Sequence, residues 1–583
     1  MFENVEKEIS QKIDQFCLEN ALPLGKVEFR TIPFSGEWGM AAPIFPLAAA
    51  DPNKTGPVPQ HAQVLAERLK EYLALPQGFT RSEATRGYLN LYFDTSLYAN
   101  SIVSHICGNG LHFGSAQPDG KTVMVEYSNP NTHKPLHVGH LRNVILGGSV
   151  CNILEASGKK VIRANYIGDI GLHVIKWMCN YEMYHAGEEP GQDKMRWMAD
   201  LYAEADRRFT EQEGFEEIVR AYFSRWDEGD EHILALWQQT RQWSMDGFAQ
   251  VYELLGEHFD RIYFESDVED SGKVLVQEMI AKGLASDGRP ENPVIVDLDT
   301  ILGTKEEYRV AVVLRSDGTS LYATKELPLA IMKFEEYDLD KSVYVIDVRQ
   351  SLHMKQMQKL LELMGYDWAN RMHHLAYEIV NLPGNVIMSS RDGTVVLLDD
   401  LVREATQRAL AVVREKNPDL DPETMEDVAE KVAIGAIKYP MISRENTKIV
   451  TFDWESALDF NGQSAPYIQY ANVRANSILR KAPEFELKQA SFSYTLEPSE
   501  INLIETLSRL PNEVQKAAAE CKPSLLAAYA YELAKVFNDF YNQCHVLKAE
   551  GIMRDSRIAL VMAAKFCLEK VLNLLGIQAP QVM

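Results

Sequence analysis

The sequence predicts a multidomain α/β protein built around a doubly wound parallel sheet and ending in an all-helical region. A strand–loop–helix–strand pattern between residues 121 and about 175 predicts the βαβ unit from which such sheets are made. Short β-rich runs resume after about residue 290, and from about residue 399 the pattern is almost wholly helical. The length of 583 residues is enough for several domains of about 150 residues each.

Residues 1–118 predict a separate, small α+β domain. Apolar residues between Phe2 and Phe16 are spaced three or four apart, as on one face of an amphipathic helix. Gly87 to Phe93 alternates like a strand, and the turn-forming run Gln117 to Gly120 follows it. The first helix carries four carboxylates, so we do not interpret it as a signal peptide. The sequence contains no run of about 18 apolar residues and predicts no membrane association.

Residues 119–400 predict the parallel-sheet domain. Thr122 to Tyr127 is β-rich, a polar loop runs from Asn129 to Pro135, and a helix then extends to about Ala156. Val161 to Tyr166 supplies the next strand. Because a crossover helix joins two strands here, the strands are expected to be parallel neighbours.

Two helical regions complete the predicted architecture. Residues from about 176 to 290 are mostly helical and acidic, and we interpret them as a helical domain inserted between strands. Residues 401–583 form the predicted all-helical C-terminal domain. The net charge of −24, from 59 Lys and Arg against 83 Asp and Glu, opposes binding to a phosphate backbone. Any RNA site must therefore be a local basic surface on an acidic body.

The seven cysteines are scattered along the chain, and none forms a Cys-x-x-Cys pair. This pattern argues against a zinc ribbon and against a disulfide framework. Reduced thiols are typical of the cytoplasm, which we therefore predict as the location of the protein.

The most informative segment runs from Glu126 to Arg142. Pro135 suits the first turn of a helix, His137 and His140 share one helix face, and Gly139 leaves the backbone between them open. A helix N-terminus attracts anions, so two imidazoles at this position predict a triphosphate site. The alternatives are ordinary histidines or a metal site that also uses His133. We predict no protein-held metal, because no acidic or cysteine partner lies nearby in sequence.

His137-Val-Gly-His140 resembles the His-Ile-Gly-His signature of the class I aminoacyl-tRNA synthetases, and its flanks resemble the arginyl family in particular. The resemblance covers nearly the whole chain. Five further segments carry it: Asn165 to Gly171, Leu321 to Glu326, Gln350 to His353, Ala465 to Arg474 and Leu574 to Met583.

This resemblance implies a Rossmann-like catalytic domain and a C-terminal tRNA-binding domain. It implies an arginine–tRNA ligase that uses ATP with Mg²⁺ to join L-arginine to tRNA(Arg), acting as a monomer. Two alternatives stay open. One is a class I paralogue with altered amino-acid specificity, and the other is a non-catalytic tRNA-binding protein.

The second class I signature, Lys-Met-Ser-Lys-Ser, is degenerate in this chain. Met388, Ser389 and Arg391 are present, but Ile387 and Ser390 stand in place of the two lysines. A cation is still needed, because adenylation gathers negative charge on phosphorus. The resemblance implies that Lys134 supplies it, and the alternative is an ordinary solvated lysine.

Arginine recognition needs carboxylates, because a guanidinium pairs best with planar anions. The resemblance points to Tyr322 and to Glu326, which stands where the family usually has Asp. The extra methylene predicts either an adjusted pocket or altered specificity. Further candidates for binding the amino acid are Glu126, Asn129, Asn131, His140 and Gln350.

The resemblance places tRNA contacts in both flanking domains. Aromatic and basic residues interleave in one C-terminal helix, as in surfaces on which bases stack. The candidates are Tyr88, Asn90, Tyr467, Gln469, Tyr470 and Arg474. The alternative for the aromatic residues is ordinary core packing.

Overall fold

The structure is a computed structural model of the full chain. It describes residues 2–25, 27–32, 37–136, 138–382, 386–387, 398–482, 484 and 486–583.

The N-terminal part is an antiparallel sheet flanked by helices, which agrees with the predicted α+β unit. The strand order is β1-β2-β4-β3. Helix α1 buries Ile9, Ile13 and Phe16, which lie on its predicted apolar face. The elements are α1 (Phe2–Glu19), β1 (Arg30–Thr31), β2 (Gly39–Pro43), α2 (Phe45–Ala50), α3 (Val58–Leu73), β3 (Phe79–Thr85), β4 (Tyr88–Phe93) and α4 (Thr95–Asn109).

The middle part begins with the predicted βαβ unit and continues into a run of helices. Helix α5 ends at Ala156, and Gly158 follows at φ +94°, a left-handed conformation that suits glycine at a helix end. The elements are β5 (Thr122–Glu126), α5 (Val138–Ala156), β6 (Lys160–Ile167), α6 (Leu172–Tyr184), α7 (Lys194–Glu211), α8 (Phe215–Asp227), α9 (Glu231–Leu255) and β7 (Arg261–Phe264).

A second stretch of mixed elements completes the middle part. They are α10 (Glu269–Ala281), β8 (Ser286–Asp287), β9 (Val294–Asp297), α11 (Leu298–Leu302), β10 (Val310–Leu314), α12 (Tyr322–Glu336), β11 (Lys341–Asp347), α13 (Ser351–Met364), β12 (Met372–Tyr377), β13 (Val380–Leu382) and β14 (Val386–Ile387).

The central sheet is five-stranded, in the order β12-β11-β5-β6-β7, and all its neighbours are parallel. The chain leaves β5 toward β6 on one side and returns to β11 on the other. The carboxyl ends of β5 and β11 therefore form a topological switch point, where doubly wound folds bind ligands. This Rossmann-like sheet confirms the predicted fold class.

Two details of the middle part differ from the prediction. Strand β7 lies inside the predicted insertion of 176–290 but pairs with β6 as an edge strand of the parallel sheet. Strands β9 and β10, which we expected to resume the α/β pattern, form a separate antiparallel sheet with β8. Short apolar runs carry no information about pairing partners, so the sequence pattern did not separate these cases.

The C-terminal part is helical, as predicted, apart from one short strand that pairs with β13. Its elements are α14 (Leu398–Lys416), α15 (Pro422–Ile442), β15 (Val450–Thr451), α16 (Trp454–Ala457), α17 (Ala465–Lys481), α18 (Pro498–Ser508), α19 (Leu510–Glu520), α20 (Pro523–Gln543) and α21 (Gly551–Leu574).

Helix α5 is apolar on all sides because it lies between the parallel sheet and the C-terminal helices α15, α19 and α21. Val144, Ile145, Leu146, Val150 and Ile153 are each about 1% exposed. Full burial of each such side chain contributes about 1.5–3 kcal/mol to stability, so this packing holds the helix firmly against both layers. In the described part of the chain, no helix has the length and apolar character needed to cross a membrane.

Candidate active site

The loop that follows β5 has an unusual backbone. Ser128, Asn129 and His133 have φ values of +76°, +49° and +62°, which are costly for residues with a side chain. Asn143 Oδ1 accepts from the Ser128 N–H at 2.6 Å, and Asn165 Oδ1 accepts from the Asn129 N–H at 3.1 Å. Because neighbouring elements hold it in place, the loop is fixed before any ligand arrives.

His133 anchors the other end of this loop in the helical insertion. Its backbone N–H donates to Ser244 Oγ at 2.9 Å, and its Nε2 lies 2.8 Å from Thr240 Oγ1. Burial lowers the pKa of His133 to about 3, so the ring is neutral. His133 therefore serves the packing of the loop against α9, and its Nε2 is occupied there.

The loop also pairs with the end of β6. The Thr132 N–H donates to the Gly168 carbonyl at 2.9 Å, and the Gly168 N–H donates to the Pro130 carbonyl at 3.0 Å. A Cβ atom at Gly168 would overlap Asn131 Oδ1 and lie 3.4 Å from Glu265 Oε2. The absence of a side chain at Gly168 thus leaves room for the Asn131 side chain at the carboxyl edge of the sheet.

The start of α5 lies next to this loop. Gly139 and His140 are half-buried in its first turn, where the positive end of the helix dipole favours an anion. His137 lies outside the described residues, and so do Met388, Ser389, Ser390 and Arg391 of the second signature.

Lys134 is half-buried at the end of the loop, and its ammonium lies 5.8 Å from the centre of the Tyr202 ring. It forms no ion pair with any residue that the structure describes. Burial and the nearby Lys176 lower the pKa of Lys134, against the opposing effect of Asp206. The ammonium of Lys176 lies 4.8 Å from the centre of the same ring, but Lys176 forms an ion pair with Asp206. Of these two lysines, Lys134 is the one whose charge is left for a ligand.

Glu126 is buried at the end of β5 and is already paired. Its carboxylate accepts from Lys333 Nζ, and Asn129 Nδ2 donates to it at 3.3 Å. Lys333 is fully buried, with its ammonium 4.5 Å from the centre of the Tyr344 ring. Burial lowers the pKa of Lys333, but the charge of Glu126 outweighs it and the net shift is upward. The charge of Glu126 is therefore largely used within the protein.

Glu326, Tyr322 and Gln350 lie where the carboxyl edge of the sheet is open. Tyr322 is the first residue of α12 and is 77% exposed, and Gln350 is exposed just before α13. Glu326 is partly buried, and its Oε2 lies 2.6 Å from His353 Nε2. Unlike Glu126, Glu326 has no cationic lysine or arginine partner in the described residues.

Tyr166 reveals an acidic pocket that sequence reasoning missed. Burial raises the pKa of its hydroxyl, and the charges of Glu265, Glu326, Glu126 and Asp169 raise it further. These carboxylates come from β5, the end of β6, the end of β7 and α12, so they are far apart in sequence. Three of the four pair with Lys333, Lys325 or Arg241, so the negative charge that suits a cationic ligand is mainly that of Glu326.

Glu265 is the most informative of the missed residues. It follows β7 directly, and Lys325 Nζ donates to it at 2.8 Å. Burial raises the pKa of Glu265, and the charge of Lys325 opposes that rise. A carboxylate at the end of a strand was the available signal, but β7 had been interpreted as part of the helical insertion. Asp169 differs, because Arg241 and Ser266 already satisfy its carboxylate.

Arg474 and two tyrosines form a cation–aromatic stack on the C-terminal helices. The guanidinium carbon of Arg474 lies 5.0 Å from the centre of the Tyr470 ring and 4.5 Å from that of Tyr541. The stack borders an open cavity of about 720 Å³. Four further basic side chains line it: Arg480, Lys481, His545 and Lys548. This is a local basic surface of the kind that the acidic composition requires.

Three of the other tRNA candidates are mainly structural. Gln469 is fully buried and donates to the carbonyls of Lys431 and Gln578 at 3.1 and 2.8 Å. Asn90 is 6% exposed. Tyr467 packs against the Tyr531 ring, with ring centres 5.4 Å apart. The periodicity of a helix identifies a face but does not say whether another helix covers it. Tyr88 remains partly exposed beside the Phe45 ring.

Arg142 ties α5 to two segments that lead into the C-terminal part. It is fully buried, and its guanidinium donates to four backbone carbonyls, with no carboxylate partner in the described residues. The acceptors are the carbonyls of Glu378, Ile379, Asn446 and Lys448. Burial lowers the pKa of Arg142 to about 10, against the charges of Tyr377 and Glu378, so the group stays cationic at neutral pH.

Replacing Arg142 with Gln is expected to destabilise the protein by about 3 kcal/mol, because it leaves buried carbonyls without donors. The measurement is the midpoint of thermal unfolding, which should fall by about 5 °C. Arg220→Gln is the matched control, since Arg220 is 72% exposed and, among the residues that the structure describes, pairs only with Glu216. Its midpoint should stay within about 1 °C of wild type. Equal midpoints for both variants would contradict the role given to Arg142.

Comparison with known proteins agrees with this geometry. Residues 102–454 match the family model described as "tRNA synthetases class I (R), catalytic domain", and residues 468–583 match the "DALR anticodon binding domain". The arginine–tRNA ligase of Clostridium botulinum strain Alaska E43 is 34% identical over 89% of this chain and 91% of its own length. The arginine–tRNA ligase of Alkaliphilus metalliredigens is 32% identical over 89% of this chain and 90% of its own length.

Solved structures give the same picture. The arginyl-tRNA synthetase of Thermus thermophilus superposes with a TM-score of 0.78 at 28% identity, covering 99% of this chain and 100% of that one. The Plasmodium falciparum arginyl-tRNA synthetase superposes with a TM-score of 0.75 at 19% identity and shares the fold over 99% of both chains.

A five-stranded parallel sheet with a positive-φ loop and a helix N-terminus at its switch point, together with the family match over the catalytic region, defines a class I aminoacyl-tRNA synthetase. Within that class, the chain belongs to the arginine–tRNA ligase family.

Proposed function

We propose that this chain activates L-arginine with ATP and transfers the arginyl group to the 3′ end of tRNA(Arg). The observation that supports the substrate is the acidic pocket around Tyr166, in which Glu326 has no lysine or arginine partner among the described residues. This pocket adjoins the loop after β5, because the Tyr166 N–H donates to Asn129 Oδ1 at 3.1 Å. A site for arginine must hold a guanidinium at one end and place a carboxylate beside the α-phosphate of ATP at the other.

In the first step, a carboxylate oxygen of arginine attacks the α-phosphorus, and the bond to the bridging oxygen breaks to release pyrophosphate. His137, His140 and the N–H groups of Gly139 and its neighbours would donate to the phosphate oxygens. Lys134 would supply a cation on the insertion side of the loop. Met388 to Arg391 would contribute the second signature.

Mg²⁺ is proposed to enter bound to the phosphates of ATP, since this ion keeps several waters and needs few protein ligands. In the described part of the chain, no three His, Cys, Asp or Glu side chains converge to hold a metal ion.

For arginine itself, we assign the guanidinium to Glu326, Glu265 and the exposed Tyr322. The α-amino group would be bound by Asn131 and Gln350. Asn129 is less suited to bind it directly, because its amide donates to Glu126 and accepts from the Tyr166 N–H at 3.1 Å. Asn129 and Glu126 instead hold the pocket walls in place.

For tRNA, we assign the anticodon arm to the cavity beside Arg474, Tyr470 and Tyr541, where bases can stack and basic groups meet phosphates. Tyr88 is the N-terminal contact. We retain the division into residues 1–118, 119–400 and 401–583, with the helical insertion shortened to end at Leu255. We further propose a monomer that works in the cytoplasm.

ATP–pyrophosphate exchange with each amino acid, with and without tRNA, tests the proposal. Exchange that is specific for arginine supports it. Exchange with a different amino acid supports the paralogue, which Glu326 in place of the usual Asp would favour. A protein that binds tRNA but exchanges no amino acid would be a non-catalytic relative.

A further inference from the structure

We propose that His353 is a positioning residue that fixes the carboxylate of Glu326 and thereby sets the affinity for arginine. The inference rests on the proposed function, in which Glu326 binds the guanidinium. His353 itself would not touch the substrate.

The two side chains meet across neighbouring helices. Glu326 lies early in α12, His353 lies in the first turn of α13, and the atoms Glu326 Oε2 and His353 Nε2 are 2.6 Å apart. An ionised carboxylate only accepts hydrogen bonds, so Nε2 carries the proton and donates. The side chains are 19% and 24% exposed, so the bond is largely shielded from water and correspondingly strong.

This bond leaves one oxygen of the carboxylate available. Among the residues that the structure describes, Glu326 Oε1 has no hydrogen-bond partner. With Oε2 held by the imidazole, the carboxylate plane is fixed and Oε1 can receive a guanidinium N–H. The planar guanidinium group binds most tightly to a carboxylate whose orientation is fixed before binding.

The residue at position 326 explains why a hydrogen bond from His353 would be needed. Glutamate has one more rotatable bond than the aspartate usual in this family, so a free Glu326 would lose more side-chain entropy when arginine binds. Its carboxylate would also sample several positions, and a displacement of about 1 Å can cost about 10²-fold in rate. A hydrogen bond from His353 removes that freedom before binding.

The test compares His353→Ala with His353→Gln in tRNA-supported ATP–pyrophosphate exchange. His353→Ala should raise the KM for arginine about 10-fold, the usual effect of losing a hydrogen bond to a charged group. Its kcat and its KM for ATP should stay within about threefold of wild type. His353→Gln should recover most of the affinity, because its amide nitrogen reaches nearly the same point as Nε2 and also donates.

His185→Ala is the matched control. His185 Nε2 lies 2.9 Å from Glu204 Oε2, with side-chain exposures of 20% and 21%, so it forms a similar pair within the helical insertion, where its Nδ1 also lies 3.1 Å from Glu188 Oε2. Loss of that pair should leave the KM for arginine unchanged. An equal rise in KM in both variants would mean that general destabilisation, and not the position of Glu326, causes the effect.

Combining His353→Ala with Glu326→Asp completes the test. The shorter carboxylate no longer reaches the imidazole, so the double variant should be no worse than the worse single variant. Additive effects would overturn the proposal, and so would an unchanged KM in His353→Ala while Glu326→Gln still weakens arginine binding. If Glu326→Gln itself leaves the KM unchanged, the assignment of the guanidinium to Glu326 fails instead.

Discussion

Lys134→Ala should slow formation of the arginyl-adenylate by about 10²-fold or more, with tRNA affinity close to wild type. The magnitude corresponds to removing one donor from a site that stabilises developing negative charge. Single-turnover adenylate formation and filter binding of tRNA measure the two quantities separately.

The structure gives a physical reason for this expectation. The ammonium of Lys134 faces the Tyr202 ring and has no carboxylate partner in the described residues. Burial and Lys176 lower its pKa, which shows that the surroundings penalise an uncompensated charge at this position. A bound phosphate would relieve that penalty. Since both lysines of the second class I signature are replaced in this chain, the cation needed for adenylation has to come from elsewhere.

Lys176→Ala is the control that separates phosphate binding from local packing. Lys176 faces the same tyrosine ring, but Asp206 compensates its charge. Adenylation by this variant should stay within about threefold of wild type, as is usual for the loss of a partly exposed pair. Near-normal adenylation by Lys134→Ala would refute the role of Lys134, and equal losses in both variants would indicate a packing effect.

Glu326→Gln should raise the KM for arginine by about 10- to 100-fold, because a charge-assisted bond to the guanidinium becomes a neutral one. The amide keeps the size of the side chain, so kcat should change less than KM. Exchange kinetics at varied arginine concentration, with ATP and tRNA saturating, measure both constants.

Glu265→Gln extends this prediction to the residue that only the structure revealed. Lys325 already neutralises part of the charge of Glu265. Glu265→Gln should therefore raise the KM for arginine by a smaller factor than Glu326→Gln does. Glu362→Gln serves as the control, since Glu362 pairs with Lys359 on α13 away from the pocket. An unchanged KM in both Glu326→Gln and Glu265→Gln would place the guanidinium elsewhere.

The local structure of the proposed phosphate end of the site was predictable from the sequence because its residues are neighbours in the chain. The strand, the polar loop, Pro135 and the two histidines follow one another within 20 residues, and each has a local conformational preference. The fold class was predictable for a similar reason, since alternation of strands and helices implies parallel pairing.

The pocket proposed for the arginine side chain was only partly predictable from the sequence. Tyr322 and Glu326 entered through the family resemblance, but Glu265 follows a four-residue edge strand that lies within the stretch interpreted as a helical insertion. Lys333 lies 207 positions from Glu126, and no periodicity relates the two. The pairing that changes Glu126 from a free carboxylate into a neutralised one is therefore invisible in the sequence.

The sequence by itself determined the order of strands and helices, the loop and helix of the proposed phosphate site, and the absence of both lysines from the second signature. These features depend on short-range patterns of polarity and conformation. The tertiary structure decided which charges remain available. In the folded protein, Glu126 pairs with Lys333, and Glu326 forms a hydrogen bond with His353. Gln469 is buried, whereas Lys134 and Arg474 lie against aromatic rings. Whether a charge is compensated depends on distance and burial, which are properties of the packed chain.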